Sequence, residues 1–185
     1  KYENTLANGI AWYFYEKGEE FVYRCINRLD RDTTGALILA KNPLSAAILS
    51  VQMRNRQICR TYLALVDGVL PESGNVDAPI ARMDGSVITR EVNFQNGESA
   101  VTHYERLAVG KDYSLAELHL ETGRTHMKYI GHPLPGDFLY NPDYRWIKRQ
   151  PLHSYQLEFT HPVTKKAMLF TAPVPADFVS AFWSN

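Results

Sequence analysis

The chain has 185 residues, 45% of them hydrophobic, which is enough to bury a core and excludes a disordered chain. Lysine plus arginine and aspartate plus glutamate each number 20, so the net charge is zero and gives no support to nucleic-acid binding beyond a local basic patch. Neither a membrane-length apolar run nor a signal pattern is present, and we expect a cytoplasmic protein without membrane contact.

The cysteine and histidine positions predict neither a disulfide framework nor a metal site. Cys25 and Cys59 are the only cysteines, which fits a reducing compartment. His126 and His132 are a possible metal pair, but no third ligand is obvious nearby, so we expect a structural role for both.

The first predicted elements follow a polar turn at residues 27–35. The apolar run at residues 36–40 predicts a strand buried on both faces. Asn42 and Pro43 then predict a helix start, with Asn as N-cap and Pro at the first position. An apolar helix face is predicted at Leu44, Ala47, Ile48 and Val51.

The rest of the chain is predicted to be mostly hairpin-linked strands. Residues 58–66 predict a strand with Tyr62, Ala64 and Val66 on one face, and Thr61, Leu63 and Leu65 on the other. Residues 101–107 and 113–120 predict one hairpin, and residues 153–159 and 168–172 a second. With a short helix at residues 175–183, this indicates an α+β fold with a mixed, mostly antiparallel central sheet and flanking helices.

Asp30 is the first candidate catalytic residue. It stands between Arg28 and Arg31 in the polar turn, directly before the apolar run. A carboxylate at the mouth of a buried element can be held in fixed geometry, as catalysis requires. The alternative, which composition alone favours, is an ordinary solvated turn charge.

Two local basic patches are candidates for contact with nucleic acid. One contains Arg54, Arg56 and Arg60, and the other contains Arg145, Lys148 and Arg149, with the aromatic residues Tyr144 and Trp146 beside them. Basic side chains mixed with aromatics suit phosphates and stacked bases. Taken alone, each patch is more typical of a solvated face.

Several blocks, in order along nearly the whole chain, resemble the RluA-like pseudouridine synthases. Residues 27–35 (N-R-L-D-R-D-T-T-G) are similar to the family's H-R-L-D-x-x-T-S-G. Residues 60–68 (R-T-Y-L-A-L-V-D-G) are similar to its K-x-Y-x-A-x-V-x-G. Residues 122–126 (T-G-R-T-H) and 131–137 (G-H-P-L-P-G-D) resemble the two ends of T-G-R-T-H-Q-I-R-x-H…G-H-P-L-x-G-D, and residues 97–104 also look familial.

The resemblance implies isomerisation of specific uridines in ribosomal or transfer RNA to pseudouridine. Asp30 matches the family's catalytic aspartate, which either attacks C1′ of the ribose or removes a proton from C2′. Tyr62 matches the active-site tyrosine that packs against the uracil; without the family, core packing in a strand is the simpler interpretation. Residues 1–185 are then expected to form a single catalytic domain, incomplete at its N-terminus.

The implied partner is RNA, with the target base flipped out of its stack. The residues expected to contact it are Arg28, Arg31, Thr33, Arg124 and His126. For Arg28 and Arg31 the alternative is a salt bridge with Asp30 or Asp32. No metal or organic cofactor is implied, because isomerisation needs neither redox chemistry nor an activated water, and the oligomeric state stays open.

The chain departs from the family pattern at two places. Asn27 stands where the family commonly has His. After His126, Met127 follows directly where about five family residues, including the basic partner of the catalytic aspartate, are expected, more than one helical turn. Either the segment is a natural deletion that impairs catalysis, or the natural protein carries a mobile stretch that this chain lacks; we favour the second explanation.

Two other functions are weighed beside the isomerase. A catalytically inactive relative that binds RNA would explain the loss of the basic residue after His126. A glycoside hydrolase using Asp30 and Asp32 is much weaker, since carboxylates two residues apart on a turn do not suit the separations of roughly 5 to 9.5 Å that such enzymes need.

Overall fold

The computed structural model describes residues 4–120, 126–145 and 147–183. It contains three helices, Leu6–Glu16 (α1), Pro43–Arg54 (α2) and Ala176–Trp183 (α3), within these residues. The strands are Thr34–Gly35 (β1), Cys59–Asp67 (β2), Ser73–Asp77 (β3), Ile80–Arg82 (β4), Arg90–Val92 (β5), Val101–Val109 (β6), Tyr113–Leu120 (β7), Leu152–Thr160 (β8) and Ala167–Thr171 (β9).

Seven of these strands form one sheet in the order β1-β8-β2-β7-β6-β3, with β9 also paired to β8. The pairs β2–β7, β2–β8, β6–β7 and β3–β6 are antiparallel, and β1 runs parallel to β8. Strands β4 and β5 form a separate antiparallel pair. The predicted α+β fold with a mixed, mostly antiparallel sheet is confirmed.

Strand β2 lies inside the sheet and has the alternating faces that its sequence predicts. Tyr62, Ala64 and Val66 belong to one buried cluster, together with Leu118 of β7. Leu63 and Leu65 belong to a second cluster on the other face, with residues of α3. Successive side chains of a strand point to opposite faces, so both faces of β2 are apolar because both are covered.

Both hairpins and the C-terminal helix form where the sequence predicts them. Strand β6 extends two residues further than expected, and the β6–β7 register shifts between Arg106 and Ala108. Helix α1 was not predicted. Thr5 caps this helix in a capping box with Asn8. None of its residues is buried, and a helix without a core-facing side lacks the apolar periodicity by which helices are predicted.

The expectation of a strand at residues 36–40, buried on both faces, is wrong. Strand β1 ends at Gly35, and beyond it Ile38 and Ala40 are buried while Leu37 and Leu39 are half-buried. The Asn27 side-chain oxygen accepts the Ile38 N–H at 2.8 Å. A side chain therefore takes a backbone hydrogen bond that a central strand would give to its neighbour.

Helix α2 begins as predicted, with the Asn42 side chain accepting from Ser45 N–H at 2.8 Å and Pro43 in the first turn. Its buried face differs from the prediction. The buried residues are Ser45, Leu49 and Gln52, while Leu44 and Val51 are 67% and 43% exposed. The helix is thus oriented by a polar anchor at Gln52 rather than by its most apolar stripe.

The chain forms two compact units. The first comprises Lys1–Arg28, Leu37–Ile58 and Phe159–Met168, and the second Leu29–Ala36, Cys59–Glu158 and Leu169–Asn185. Both buried clusters lie in the second unit. Within the described residues, no helix combines the length and apolar character needed to cross a bilayer.

Candidate active site

Asp30 is the first residue of a tight turn that leads into β1. The Thr33 N–H donates to the Asp30 carbonyl at 3.1 Å, which closes the turn over four residues. Asp32 has a φ of 69°, the left-handed conformation that a type II turn needs at its third residue and that Asp tolerates better than most residues. The Asp30 side chain is exposed, so its carboxylate is presented to solvent from a short, closed loop.

Strand β1 fixes this turn against β8. The Thr34 hydroxyl lies 2.8 Å from His153 Nδ1, and His153 Nε2 lies 3.4 Å from the Ala172 carbonyl, which can only accept. Gly35 has a φ of 109°, and a Cβ there would lie 2.2 Å from the Ser154 carbonyl oxygen. The closing glycine of the N-R-L-D-R-D-T-T-G block is therefore required by the close approach of β1 to β8.

Arg149 adds a second anchor. Its Nη1 donates to the Asp32 carbonyl at 3.2 Å, while Nε and Nη2 donate to the two Asp177 oxygens at 2.6 and 2.8 Å. This bidentate pair lowers the pKa of Asp177 through the hydrogen bonds from Arg149. Sequence analysis placed Arg149 in a basic patch; the structure instead uses it to hold the turn that carries Asp30.

Tyr62 is 5% exposed and lies where two opposite charges act on its hydroxyl. Burial raises the pKa of Tyr62, the guanidinium of Arg60 beside it opposes that rise, and the negative charge of Asp30 raises the pKa further. The phenol therefore stays protonated at neutral pH and keeps an O–H to donate. Arg60 has a buried Nε with no hydrogen-bond partner among the described residues.

Asp137 and Tyr140 form another part of the surroundings of Asp30. Burial raises the pKa of both, and the negative charge of Asp30 raises each further. The Asp137 carboxylate accepts from the N–H groups of Leu139 and Tyr140 at 2.9 and 3.2 Å. Lys128 Nζ lies 5.0 Å from the centre of the Tyr140 ring. The sequence motif that ends at Gly136 and Asp137 drew attention to this loop, but it assigned no role to Tyr140 or Lys128.

The residues predicted to contact RNA lie in different environments. Arg28 is exposed in the first unit. Arg31 is exposed, with Nε 3.7 Å from an Asp32 oxygen and its guanidinium 5.5 Å from the Phe138 ring centre. The Thr33 hydroxyl is buried without a hydrogen-bond partner within the described chain. Arg124 lies outside the described residues.

His126 is 1% exposed and has protein partners on both ring nitrogens. Nε2 lies 2.7 Å from the Ala78 carbonyl and Nδ1 lies 3.0 Å from the Thr102 hydroxyl, and burial lowers the pKa of the ring. His132 Nδ1 is likewise bonded to the Asp67 carbonyl at 2.7 Å. These contacts favour structural roles for both, and contact of His126 with RNA stays a prediction.

The cations of the two predicted basic patches lie in different surroundings. Arg54 belongs to the first unit and Arg60 to the second. In the other patch, Arg145 pairs with Asp143 at 2.5 to 2.9 Å and Arg149 with Asp177. Two of its cations are thus compensated by carboxylates, and Trp146 lies outside the described residues.

Asp30 is thus exposed on a closed turn, and its negative charge and the guanidinium of Arg60 act with opposite sign on the pKa of the buried Tyr62 phenol. A sequence profile of the RNA pseudouridylate synthase family matches residues 11–127, which include Asp30, Arg60 and Tyr62. The chain belongs to this family.

Relatives with sequence similarity over almost the whole chain carry names of the same family. A protein of Bacillus subtilis (strain 168) named uncharacterized RNA pseudouridine synthase YjbO is 42% identical over 179 residues, covering 94% of this chain and 63% of the relative. Ribosomal large subunit pseudouridine synthase D of Nitrosomonas europaea is 41% identical over 193 residues, covering 97% of this chain and 56% of the relative. The chain therefore spans about three fifths of the length of these relatives.

Solved structures support the fold. Human RNA Pseudouridylate Synthase Domain Containing 1 superposes with a TM-score of 0.76 at 24% identity, over 91% of this chain and 74% of the human chain. Human RNA Pseudouridylate Synthase Domain Containing 4 gives 0.72, also at 24% identity, over 95% of this chain and 80% of the human chain.

The alignment with YjbO contains positions that this chain lacks. It extends over 179 positions, whereas 94% of 185 residues is about 174, so about five positions are occupied only in the relative. In the structure, the Ile130 and His132 N–H groups donate to the carbonyls of His126 and Met127 at 3.3 and 2.9 Å, forming a short turn.

Proposed function

We propose that the protein isomerises specific uridines in structured ribosomal or transfer RNA to pseudouridine, with Asp30 as the essential carboxylate. The observation that carries the proposal is that the carboxylate of Asp30 and the guanidinium of Arg60 both act on the buried phenol of Tyr62. Asp30 raises the pKa of this phenol and Arg60 lowers it. Membership of the RNA pseudouridylate synthase family supplies the chemistry to which this arrangement is suited.

In this reaction the N1–C1′ bond breaks, the uracil turns within the site, and C5 bonds to C1′ while its hydrogen leaves as a proton. Asp30 either attacks C1′ or removes a proton from C2′, and both roles need an ionised carboxylate close to the ribose. The exposed position of Asp30 on a closed turn suits an approach by an extruded nucleotide.

Tyr62 would pack against the uracil and donate from a phenol whose raised pKa keeps it neutral. Arg60 would supply the positive charge that the family places after the T-G-R-T-H block, a position this chain lacks. Its unpartnered buried Nε–H supports that role, since such a group gains from an acceptor brought by the substrate or by Asp30. No cofactor is assigned to any step.

The substrate class is ribosomal or transfer RNA, and such a substrate would place the reaction in the cytoplasm. The rRNA alternative is favoured by the relatives named ribosomal large subunit pseudouridine synthase D, of which that of Haemophilus ducreyi is 34% identical over 196 residues, covering 96% of this chain and 60% of the relative.

The test compares two aspartates of one turn. Asp30→Asn should abolish release of tritium from RNA labelled at uridine C5, because the amide is neither a base nor an effective nucleophile. Asp32→Asn is the matched control: it changes an exposed carboxylate two residues away that pairs with Arg31 at 3.7 Å, and it should retain turnover. Normal turnover by Asp30→Asn would refute the assignment.

A catalytically inactive RNA-binding protein is the second candidate, favoured by the shortened segment after His126. It predicts that the chain binds RNA but forms no pseudouridine, and that Asp30→Asn changes nothing measurable. Stoichiometric pseudouridine formation by this 185-residue chain would exclude it.

A further inference from the structure

The zero net charge conceals a strong separation of charge between the two units. The first unit contains nine Lys and Arg residues against four Asp and Glu, whereas the second contains eleven against sixteen. Two of the three segments of the first unit, Leu37–Ile58 and Phe159–Met168, contain no acidic residue. The first unit therefore carries a net positive charge, which the overall composition does not reveal.

Hydrogen bonds bring these two acid-free segments together. Gln52, in the last turn of α2, donates from its side-chain amide to the Thr160 carbonyl at 2.8 Å and accepts from the Thr160 N–H at 3.2 Å. Thr160 ends β8 and leads into the turn at residues 161–166, which is closed by the His161 N–H donating to the Lys166 carbonyl at 2.8 Å. The end of α2 and this turn therefore lie side by side.

Three exposed cations belong to this junction: Arg54 in the last turn of α2, and Lys165 and Lys166 in the turn that follows β8. We call them the α2–turn cluster. Lys165 Nζ donates to the Pro162 carbonyl at 2.8 Å, a neutral acceptor that leaves its charge uncompensated. The acidic residues of the described part of the unit are Glu16, Glu19 and Glu20, near the end of α1, and Glu19 is bonded to Lys41 at 2.7 Å.

We propose that the α2–turn cluster is a docking surface for the phosphate backbone of RNA, outside the nucleotide that is modified. Charge complementarity selects this occupant: exposed cations from two segments that contain no acidic residue match a polyanion and release its counterions on binding. The inference rests on the proposed function for the presence of RNA, and adds where the rest of the RNA is held. Such contacts position the RNA without reading its sequence.

The test uses the full chain with Arg54→Gln, Lys165→Gln and Lys166→Gln combined. The matched control combines Arg82→Gln, Arg90→Gln and Lys111→Gln, three exposed cations of the second unit, and removes the same charge. Binding to a fluorescent single-stranded poly(U) RNA is measured between 50 and 200 mM salt. We expect the cluster variant to bind about tenfold more weakly at low salt, with a logarithmic salt slope smaller by up to about 2, and the control to change neither by more than about twofold.

The kinetic readout separates this inference from the proposed function. The cluster variant should raise KM for structured RNA and keep kcat, whereas Asp30→Asn should lose kcat and keep RNA binding. Loss of RNA affinity in the cluster variant supports the surface even if the wild-type protein forms no pseudouridine. The proposal is overturned if the cluster variant and the wild type bind RNA with equal affinity and equal salt slope, or if the control variant weakens binding as much as the cluster variant does. It is also overturned if the α2–turn cluster binds an acidic protein and not RNA.

Discussion

Arg149 Nη1 lies 3.2 Å from the backbone carbonyl of Asp32, to which it donates a hydrogen bond, although the two residues are 117 positions apart. The same guanidinium donates hydrogen bonds to both carboxylate oxygens of Asp177 in α3 and to the Gln150 carbonyl, the last at 2.9 Å. The turn that presents Asp30 is thus held by the Arg149 side chain, which Asp177 holds in turn, and the role proposed for Asp30 requires such a fixed geometry.

We predict that Arg149→Met lowers kcat by about tenfold, because small displacements of a reacting group cost one to two orders of magnitude. The loss of charged hydrogen bonds at a largely buried side chain should also lower the free energy of unfolding by about 2 kcal/mol. Single-turnover kinetics and urea titration measure the two effects.

Lys148→Met is the control for Arg149→Met, because it removes the neighbouring positive charge from an exposed position. It should leave both the free energy of unfolding and kcat near the wild-type values. If Arg149→Met keeps full kcat while it loses stability, the hydrogen bond to Asp32 has no part in placing the turn.

Gly35→Ala should destabilise the protein by at least about 2 kcal/mol, since the new Cβ would meet the Ser154 backbone at 2.2 Å in a conformation that side chains avoid. Gly85→Ala separates the two causes: Gly85 also has a positive φ, of 76°, but nothing lies within 4 Å of its Cβ position. It should cost only about 1 kcal/mol. Thermal unfolding of both variants is the measurement, and equal costs would contradict the close approach of β1 to β8.

The sequence predicted those parts of the fold that local pattern determines. The two faces of β2 alternate in the sequence and are buried in two clusters, and Asn42 with Pro43 starts α2 at the expected residue. The family motifs also drew attention to Asp30 and Tyr62, and in the structure the negative charge of Asp30 raises the pKa of the Tyr62 phenol. Their catalytic roles stay predictions.

Contacts between distant residues were not predictable in this way. The buried face of α2 is set by the hydrogen bonds between Gln52 and Thr160, 108 positions apart, and not by its apolar stripe. Likewise, nothing local to Arg149 indicates that its partners are Asp177 and the Asp32 carbonyl. The basic run at residues 145–149 therefore resembled an RNA-binding patch, although Arg149 in the structure makes hydrogen bonds within the protein.

Stability should fall as the pH drops below about 6.5, the pKa of histidine in an unfolded chain. Burial lowers the pKa of both His126 and His153 in the folded state, so in this window the unfolded chain binds more protons than the native one. The stability contributed by each neutral ring is complete above the unfolded pKa and is lost as the pH falls toward the folded pKa. The slope contributed by each is at most about 1.4 kcal/mol per pH unit.

The histidine prediction is checked by urea unfolding from pH 7.5 to 5.5. His126→Gln and His153→Gln should each flatten the dependence of the unfolding free energy on pH, even where they lower its value. An unchanged slope in both buried variants would show that neither ring carries the effect.

Arg60 provides the sharpest test of which side chain supplies the positive charge proposed for the site. Arg60→Met should lower kcat by about a hundredfold with a smaller change in KM, the size expected when a group that stabilises developing charge is removed. Arg60→Lys should recover part of this rate, since it restores the charge but not the planar fork of donors. Arg60→Ala should regain activity when free guanidinium ion is added at concentrations too low to unfold the protein, and ammonium should act less well. A purely structural role predicts instead that all three variants lose stability in parallel with activity and that guanidinium restores neither.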